Sequence, residues 1–233
     1  MAQGEKKNDR PIERIQQNVL ARSERRLLNW LCARLPAWVT PDRLTTFGMV
    51  GSLAIFLGYA LSGEGRDWLW LAVAGYFVQW FGDSLDGSIA RWRKIERPRF
   101  GYFIDHSCDG ITTLLILAGL GLSPYLRLDI ALLTLSGYLL LSIHAYLSVH
   151  VMGEMKLSYL SAGPTELRFV LLGLTAMMYV MGPTANWMAG LSLFDCLIGA
   201  VGALFIVLFV IQTMTVAQRL AAGGEIISQG HTV

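Results

Sequence analysis

Four carboxylates set inside apolar segments constrain this chain more than anything else in it. Asp83-x-x-Asp86-Gly87-x-x-Ala90-Arg91 is followed by Gly101-x-x-x-Asp105-x-x-x-Asp109, each block running into a hydrophobic stretch. Charge held among apolar neighbours is costly, and more so in a bilayer, so such a cluster is expected to mark a functional site. The 233 residues are 54% hydrophobic and 15% charged, too apolar for an ordinary soluble domain.

A helix crosses a bilayer with roughly 20 residues. Six stretches are long enough: 45–62, 67–90, 101–122, 128–150, 166–184 and 189–214. No strand-like alternation is visible, so backbone pairing in lipid has to be helical. The second stretch is unusual, because its apolar part ends near Phe81 while the helix must continue through Asp83 and Asp86 to Arg91. The expected fold is all-α, a polytopic membrane protein with six transmembrane helices.

Basic residues collect on one side of those spans. Lys6, Lys7, Arg10, Arg14, Arg22, Arg25, Arg26, Arg34 and Arg43 precede the first, and Arg91, Arg93, Lys94, Arg97 and Arg99 join the second to the third. Lys156 and Arg168 flank the fourth connection, Arg219 follows the sixth span, and only Arg66 and Arg127 lie opposite. The positive-inside rule then puts both termini and the acidic motif in the cytoplasm.

Residues 1–11 are polar and basic and are expected to be disordered. Over 12–38, Ile12, Ile15, Val19, Leu27, Leu31 and Leu35 recur at helical spacing, with arginines on other faces. This N-terminal amphipathic helix would lie on anionic phospholipid headgroups or pack on the membrane domain, and both can hold. The membrane domain takes 39–215, opened by the helix-start signal Thr40-Pro41-Asp42, and 216–233 form a polar tail. No signal peptide is expected, and no nucleic-acid partner. Cys32, Cys108 and Cys196 are too dispersed for a disulfide framework or a zinc site, and Cys108 is read as a packing residue. His144 and His150 receive no role, Asp195 is read as an interfacial acid, and Trp68, Trp70 and Trp187 as interfacial anchors.

Asp83, Asp86 and Gly87 fall on one helical face, with Ala90 and Arg91 a turn on or near it; Gly101, Asp105 and Asp109 make a second stripe at spacing four. A short basic loop joins the two, so the acids should converge at one depth. Four ionised carboxylates repel, no Lys or Arg is left inside the spans to pair with them, and hard oxygen donors suit Mg²⁺ or Mn²⁺, with Ca²⁺ a further candidate. Four acids fit two ions stabilising an in-line phosphoryl displacement. Gly87, Ala90 and Gly101 would leave room for a ligand, and Arg91 would contact a phosphate. An ion pathway is the competing reading.

D-G-x2-A-R, a spacer, then G-x3-D-x3-D resembles the signature of the CDP-alcohol phosphotransferases, membrane enzymes of phospholipid synthesis. Thr40-Pro41-Asp42-Arg43-Leu44-Thr45 is similar to the family's entry sequence, and the resemblance covers roughly 38–215. One departure is the spacer, which holds nine residues between Arg91 and Gly101 where eight is common. The resemblance implies that Asp83, Asp86, Asp105 and Asp109 hold two divalent metals, that Gly87, Ala90, Arg91 and Gly101 line the CDP site, that Asp109 is the general base, and that the protein is a homodimer. A carboxylate shared with a metal is a weak base, so His106, beside Asp105, is a second candidate or else a hydrogen-bonding neighbour of a carboxylate.

Asp105-His106-Ser107-Cys108-Asp109 and Gly163-Pro164-Thr165-Glu166 look like the choline and ethanolamine phosphotransferase branch. That resemblance favours CDP-ethanolamine or CDP-choline as donor and a lipid hydroxyl such as diacylglycerol as acceptor. Glu166 would meet the donor's ammonium or simply favour a helix N-terminus; Arg168 would bind a phosphate or mark the membrane surface. The alternative within the class is a phosphatidyltransferase using CDP-diacylglycerol and serine, inositol or glycerol phosphate. Outside it stands a divalent-cation or lipid transporter, which predicts acids spread through the membrane depth and repeated halves.

Overall fold

The computed structural model describes residues 21–152, 164–184 and 190–229. Seven α-helices follow one another there: α1 (Ala21–Cys32), α2 (Pro41–Ala60), α3 (Trp68–Trp92), α4 (Pro98–Leu122), α5 (Leu128–Met152), α6 (Pro164–Met181) and α7 (Leu193–Gln229), with a 3-10 turn at Leu61–Gly63. No strand occurs among the described residues. The calls on residues 1–11, on 12–20 of the amphipathic helix, on Lys156, Gly163 and Trp187, and on 230–233 lie outside them.

Among the described residues, four helical segments are long and apolar enough to cross a membrane: Pro41–Gly63, Pro98–Leu122, Leu128–Val151 and Leu193–Ala222. The remaining two expected spans, α3 and α6, do not reach that apolarity. α3 carries four tryptophans, Gln79 and the two motif acids, and α6 opens with Glu166 and Arg168. α7 continues as helix past the boundary at 215.

α2 starts where Thr40 predicts. The Thr40 side chain accepts from the Arg43 amide at 3.4 Å and Pro41 occupies the first turn. α2 then packs along α3 through a seam of small residues. A Cβ on Gly51 would lie 2.5 Å from the Gln79 amide, and one on Gly82 would overlap the backbone of Gly48. Helices that meet in lipid gain mainly from such close van der Waals fit.

Away from the acids, Ile55, Tyr59, Leu69, Tyr76, Leu120 and Phe194 belong to the main buried cluster. Within it the Tyr59 hydroxyl lies 2.6 Å from Thr175 Oγ1 and 3.2 Å from the Tyr76 hydroxyl, pairing that burial favours. Asp195 is only 3% exposed and is not an interfacial acid. It forms a capping box with Ser192 at the start of α7, the two exchanging amide-to-side-chain bonds of 2.9 Å each, and also accepts from the Arg127 amide at 2.8 Å. His144 sits between Ser148 and Thr213.

α1 stops at Cys32 rather than running to 38, because Leu35 precedes Pro36 and is pushed out of helical geometry. Leu28, Leu31, Leu35 and Cys32 pack on Leu44, Leu85 and Ile89 at the acid-bearing end, while Leu27 and Trp30 face outward. Burial pushes the Cys32 thiol pKa up. Trp68 and Trp70 are exposed near the other end.

Candidate active site

The glycine seam decides where the first acid pair points. With α2 and α3 in backbone contact, Thr45 donates to Asp86 Oδ2 at 2.6 Å and the Gly87 amide approaches Asp86 Oδ1 at 2.5 Å. Asp83, one turn earlier, pairs with the Arg168 guanidinium, whose Nε donates to Gln79 Oε1 at 2.9 Å. The expectation that no cation was left to pair with the acids therefore fails at Arg168. It stands just past the first turn of α6, and its long side chain reaches across to α3.

α3 ends in a two-bond cap, Ile95 N to Ala90 O at 3.0 Å and Lys94 N to Arg91 O at 3.1 Å, with Lys94 at φ 57°. Arg97 pairs with Asp42 and stacks over Phe100 at 4.2 Å, and Pro98 opens α4. The nine-residue spacer is thus the last residue of α3, a five-residue turn and the first turn of α4. Arg93 serves the scaffold: it donates to the carbonyls of Val39 at 2.6 Å, Pro36 at 2.9 Å and Leu35 at 3.0 Å, holding the α1–α2 turn on α3.

A narrow cleft open to the surface lies where α2, α3 and α4 meet. Asp83, Asp86 and Asp105 line it together with Thr45, Gln79 and Cys108. Three of the four motif acids therefore share one cavity. Cys108, expected to be packing, contributes to its wall. Asp109 lies one turn along α4 from Asp105 and is not among the lining residues.

The other expected site residues lie around this cleft rather than in its wall. Arg91 folds back over its own helix, with Nη2 3.4 Å from Ser88 Oγ, and a Cβ on Gly87 would sit 3.2 Å from Arg91 Nη1. Gly87 thereby gives the guanidinium room. Ala90 is half-buried, and Gly101 is exposed on α4 with open space where a side chain would be. Glu166 is half-buried at the start of α6. His106 stacks on Tyr102 at 4.2 Å and meets Tyr146 edge-on at 5.5 Å. Its Nδ1 bonds the Tyr102 carbonyl at 2.8 Å and lies 3.8 Å from Asp105 Oδ2.

Among the described residues, no three His, Cys, Asp or Glu side chains converge closely enough to grip an ion as they stand. Asp83 is turned to Arg168, and Asp86 to Thr45 and the Gly87 amide. The donor chemistry nevertheless fits a hard divalent cation: three carboxylates and two threonine hydroxyls on one cavity, with a single thiol as competitor. Thr45 and Gln79 were not foreseen as site residues. Thr45 was legible, standing one helical turn beyond the Thr40-Pro41 start.

The profile described as CDP-alcohol phosphatidyltransferase matches residues 38–211. The chain belongs to that family. Among its CDP-alcohol phosphatidyltransferase relatives, cholinephosphotransferase 1 of Danio rerio is 31% identical over 97 residues, 39% of this chain and 25% of that protein. Archaetidylinositol phosphate synthase of Pyrococcus horikoshii is 31% identical over 104 residues, 45% of this chain and 52% of that one. The chain thus spans about a quarter of the cholinephosphotransferase it matches and half of the archaeal synthase. The Mycobacterium tuberculosis phosphatidylinositol phosphate synthase, solved with CDP-DAG bound, shares the fold with a TM-score of 0.56 at 22% identity, covering 82% of this chain and 93% of that chain.

Proposed function

We propose that this family member is a membrane-embedded transferase of phospholipid synthesis that moves a phospho-alcohol group from a CDP-alcohol to a lipid hydroxyl and releases CMP. The observation that carries the reading is the convergence of Asp83, Asp86 and Asp105 on one cleft. The favoured donor is CDP-ethanolamine or CDP-choline and the favoured acceptor is diacylglycerol.

α3 and α6 complete six spans in this reading. At ~1.5 Å per residue they are about 37 and 27 Å long, and α3 lies along α2, which is apolar enough to cross. Both termini and the cleft face the cytoplasm, α1 rests at the headgroups, and the protein is a homodimer.

Asp83, Asp86, Asp105 and Asp109 are the residues that would hold two Mg²⁺ or Mn²⁺ ions, whose charge offsets that of the donor pyrophosphate when they are bound. Arg91 and Arg168 bind phosphate oxygens, and Arg168 can exchange its carboxylate partner for one. Gly87, Ala90 and Gly101 leave space for the cytidine end, and Glu166 faces the donor's ammonium. Asp109 takes the proton from the acceptor hydroxyl. The acceptor oxygen forms the new bond to the phosphorus distal to cytidine, the bond from that phosphorus to the bridging oxygen breaks, and CMP carries away the electron pair. What favours Asp109 over His106 as base is the ring's position between Tyr102 and Tyr146, with Nδ1 engaged by a backbone carbonyl.

A second reading keeps the cleft and exchanges the substrates: CDP-diacylglycerol as donor and serine, inositol or glycerol phosphate as acceptor. Arg168 favours it, being a cation that could meet a phosphorylated acceptor. Transfer of radiolabel by purified protein with Mg²⁺ or Mn²⁺ separates the two. Label entering lipid from CDP-ethanolamine or CDP-choline plus diacylglycerol is the expected result. Label only with CDP-diacylglycerol and polar alcohols reverses donor and acceptor, and no transfer with either pair overturns the enzyme reading.

A further inference from the structure

Glu24, on α1, lies far from the acidic motif in sequence. Its Oε1 accepts two hydrogen bonds, from Trp80 Nε1 on α3 at 3.0 Å and from Thr165 Oγ1 on α6 at 2.8 Å. Trp80 precedes Asp83 by three positions, and Thr165 precedes Arg168 by three. Each partner of Glu24 is therefore one turn from a member of the Arg168–Asp83 pair. A carboxylate accepting from two neutral donors makes charge-assisted bonds, stronger than neutral ones.

α6 needs such a tie. Among the described helices it packs appreciably only on α3. Its far half is fixed by Thr175 against Tyr59 and by Tyr179 against Trp70 and Asp67. Its near half, where Arg168 reaches Asp83, is tied to its neighbours by polar contacts of Arg168 and of Glu24, beside the packing of Leu171 and Leu172 on the core. An arginine that must release Asp83 to meet a phosphate cannot also be the only anchor of its own helix. Glu24 supplies an anchor that does not involve the cleft.

We propose that Glu24 is a positioning residue of the active site, holding the first turn of α6 against α3 so that Arg168 is presented to Asp83. The proposal rests on the transferase reading for its catalytic consequence; the tether itself does not. Glu24→Gln keeps a side-chain oxygen that accepts from both donors, whereas Glu24→Ala removes it.

Two measurements test this. In the transfer assay, Glu24→Ala lowers kcat/KM by about tenfold, Glu24→Gln stays within about threefold, and Glu24→Ala placed on Arg168→Gln lowers it no further than Arg168→Gln alone, because the two act through one contact. A full additional loss in the double variant, or no rescue by glutamine, overturns the proposal. Independently of turnover, nitroxide labels at the exposed positions Phe77 and Leu167, in a background with the three cysteines replaced by alanine, report the α3–α6 separation. A narrow distance distribution that broadens in Glu24→Ala and narrows again in Glu24→Gln is expected, and an unchanged distribution in Glu24→Ala overturns the tether. Absence of wild-type transfer beside a broadened Glu24→Ala distribution would overturn the transferase reading and the catalytic consequence while upholding the tether.

Discussion

The guanidinium of Arg168 rests on the carboxylate of Asp83, joining α6 to α3 at the mouth of the acidic cleft. The pair is mostly shielded, with side-chain exposures of 14% and 24%. A charge there is poorly screened, so loss of either partner leaves the other exposed to a desolvation penalty.

Arg168→Gln is expected to lower kcat/KM for the CDP donor by about a hundredfold while the protein remains folded. Kinetics in detergent beside circular dichroism would check this. Unchanged kcat/KM would remove Arg168 from the phosphate site.

Asp83→Asn and Asp105→Asn should each lower metal-dependent transfer by at least about a hundredfold. Mn²⁺ titration followed by electron paramagnetic resonance supplies a readout apart from turnover. Wild-type Mn²⁺ binding in both variants would contradict the metal assignment.

Asp109→Asn is expected to abolish the chemical step, while His106→Ala, which removes a ring stacked on Tyr102, changes kcat by less than about tenfold. Single-turnover measurements with substrate and metal saturating check the order. Loss of the step only in His106→Ala would transfer the base role to the imidazole.

Gly82→Ala should destabilise the fold by about 2–3 kcal/mol, because the new methyl overlaps the Gly48 backbone. Gly173→Ala, with nothing within 4 Å of the added carbon, is the matched control and should not destabilise. Thermal unfolding in one detergent compares the two.

Lys94→Gly should stabilise by about 1 kcal/mol, since Lys94 is the only non-glycine at positive φ among the described residues. An unchanged or lowered unfolding midpoint would contradict this account of the α3 cap.

What could be read from the chain before folding was local. Thr40-Pro41 begins α2 because a cap and a first-turn proline act within four residues. The spacing of Asp83, Asp86 and Asp105 put them on facing stripes because helical periodicity is short-range. The Arg168–Asp83 pair joins residues 85 positions apart and the Glu24–Thr165 bond residues 141 apart, and no periodicity reports such meetings. Two local patterns were present yet misread. Ser192-x-x-Asp195 is a capping box that looked like an acid near a membrane end. The small residues at 48, 51, 75 and 82 passed unread beside those at 87 and 101. α3 and α6 fall short of span-like apolarity for a physical reason: the groups that give the cleft its chemistry replace the residues that would mark a span.

The seam between α2 and α3 also bears on transplantation. Grafting four aspartates at the right offsets onto two arbitrary helices would reproduce the motif without its geometry, since side chains of ordinary size would hold the backbones apart and withdraw Thr45 from Asp86. The portable unit is the glycine-paired helix couple with its acids attached, and a designer who copied only the carboxylates would have the charges without the vise that aims them.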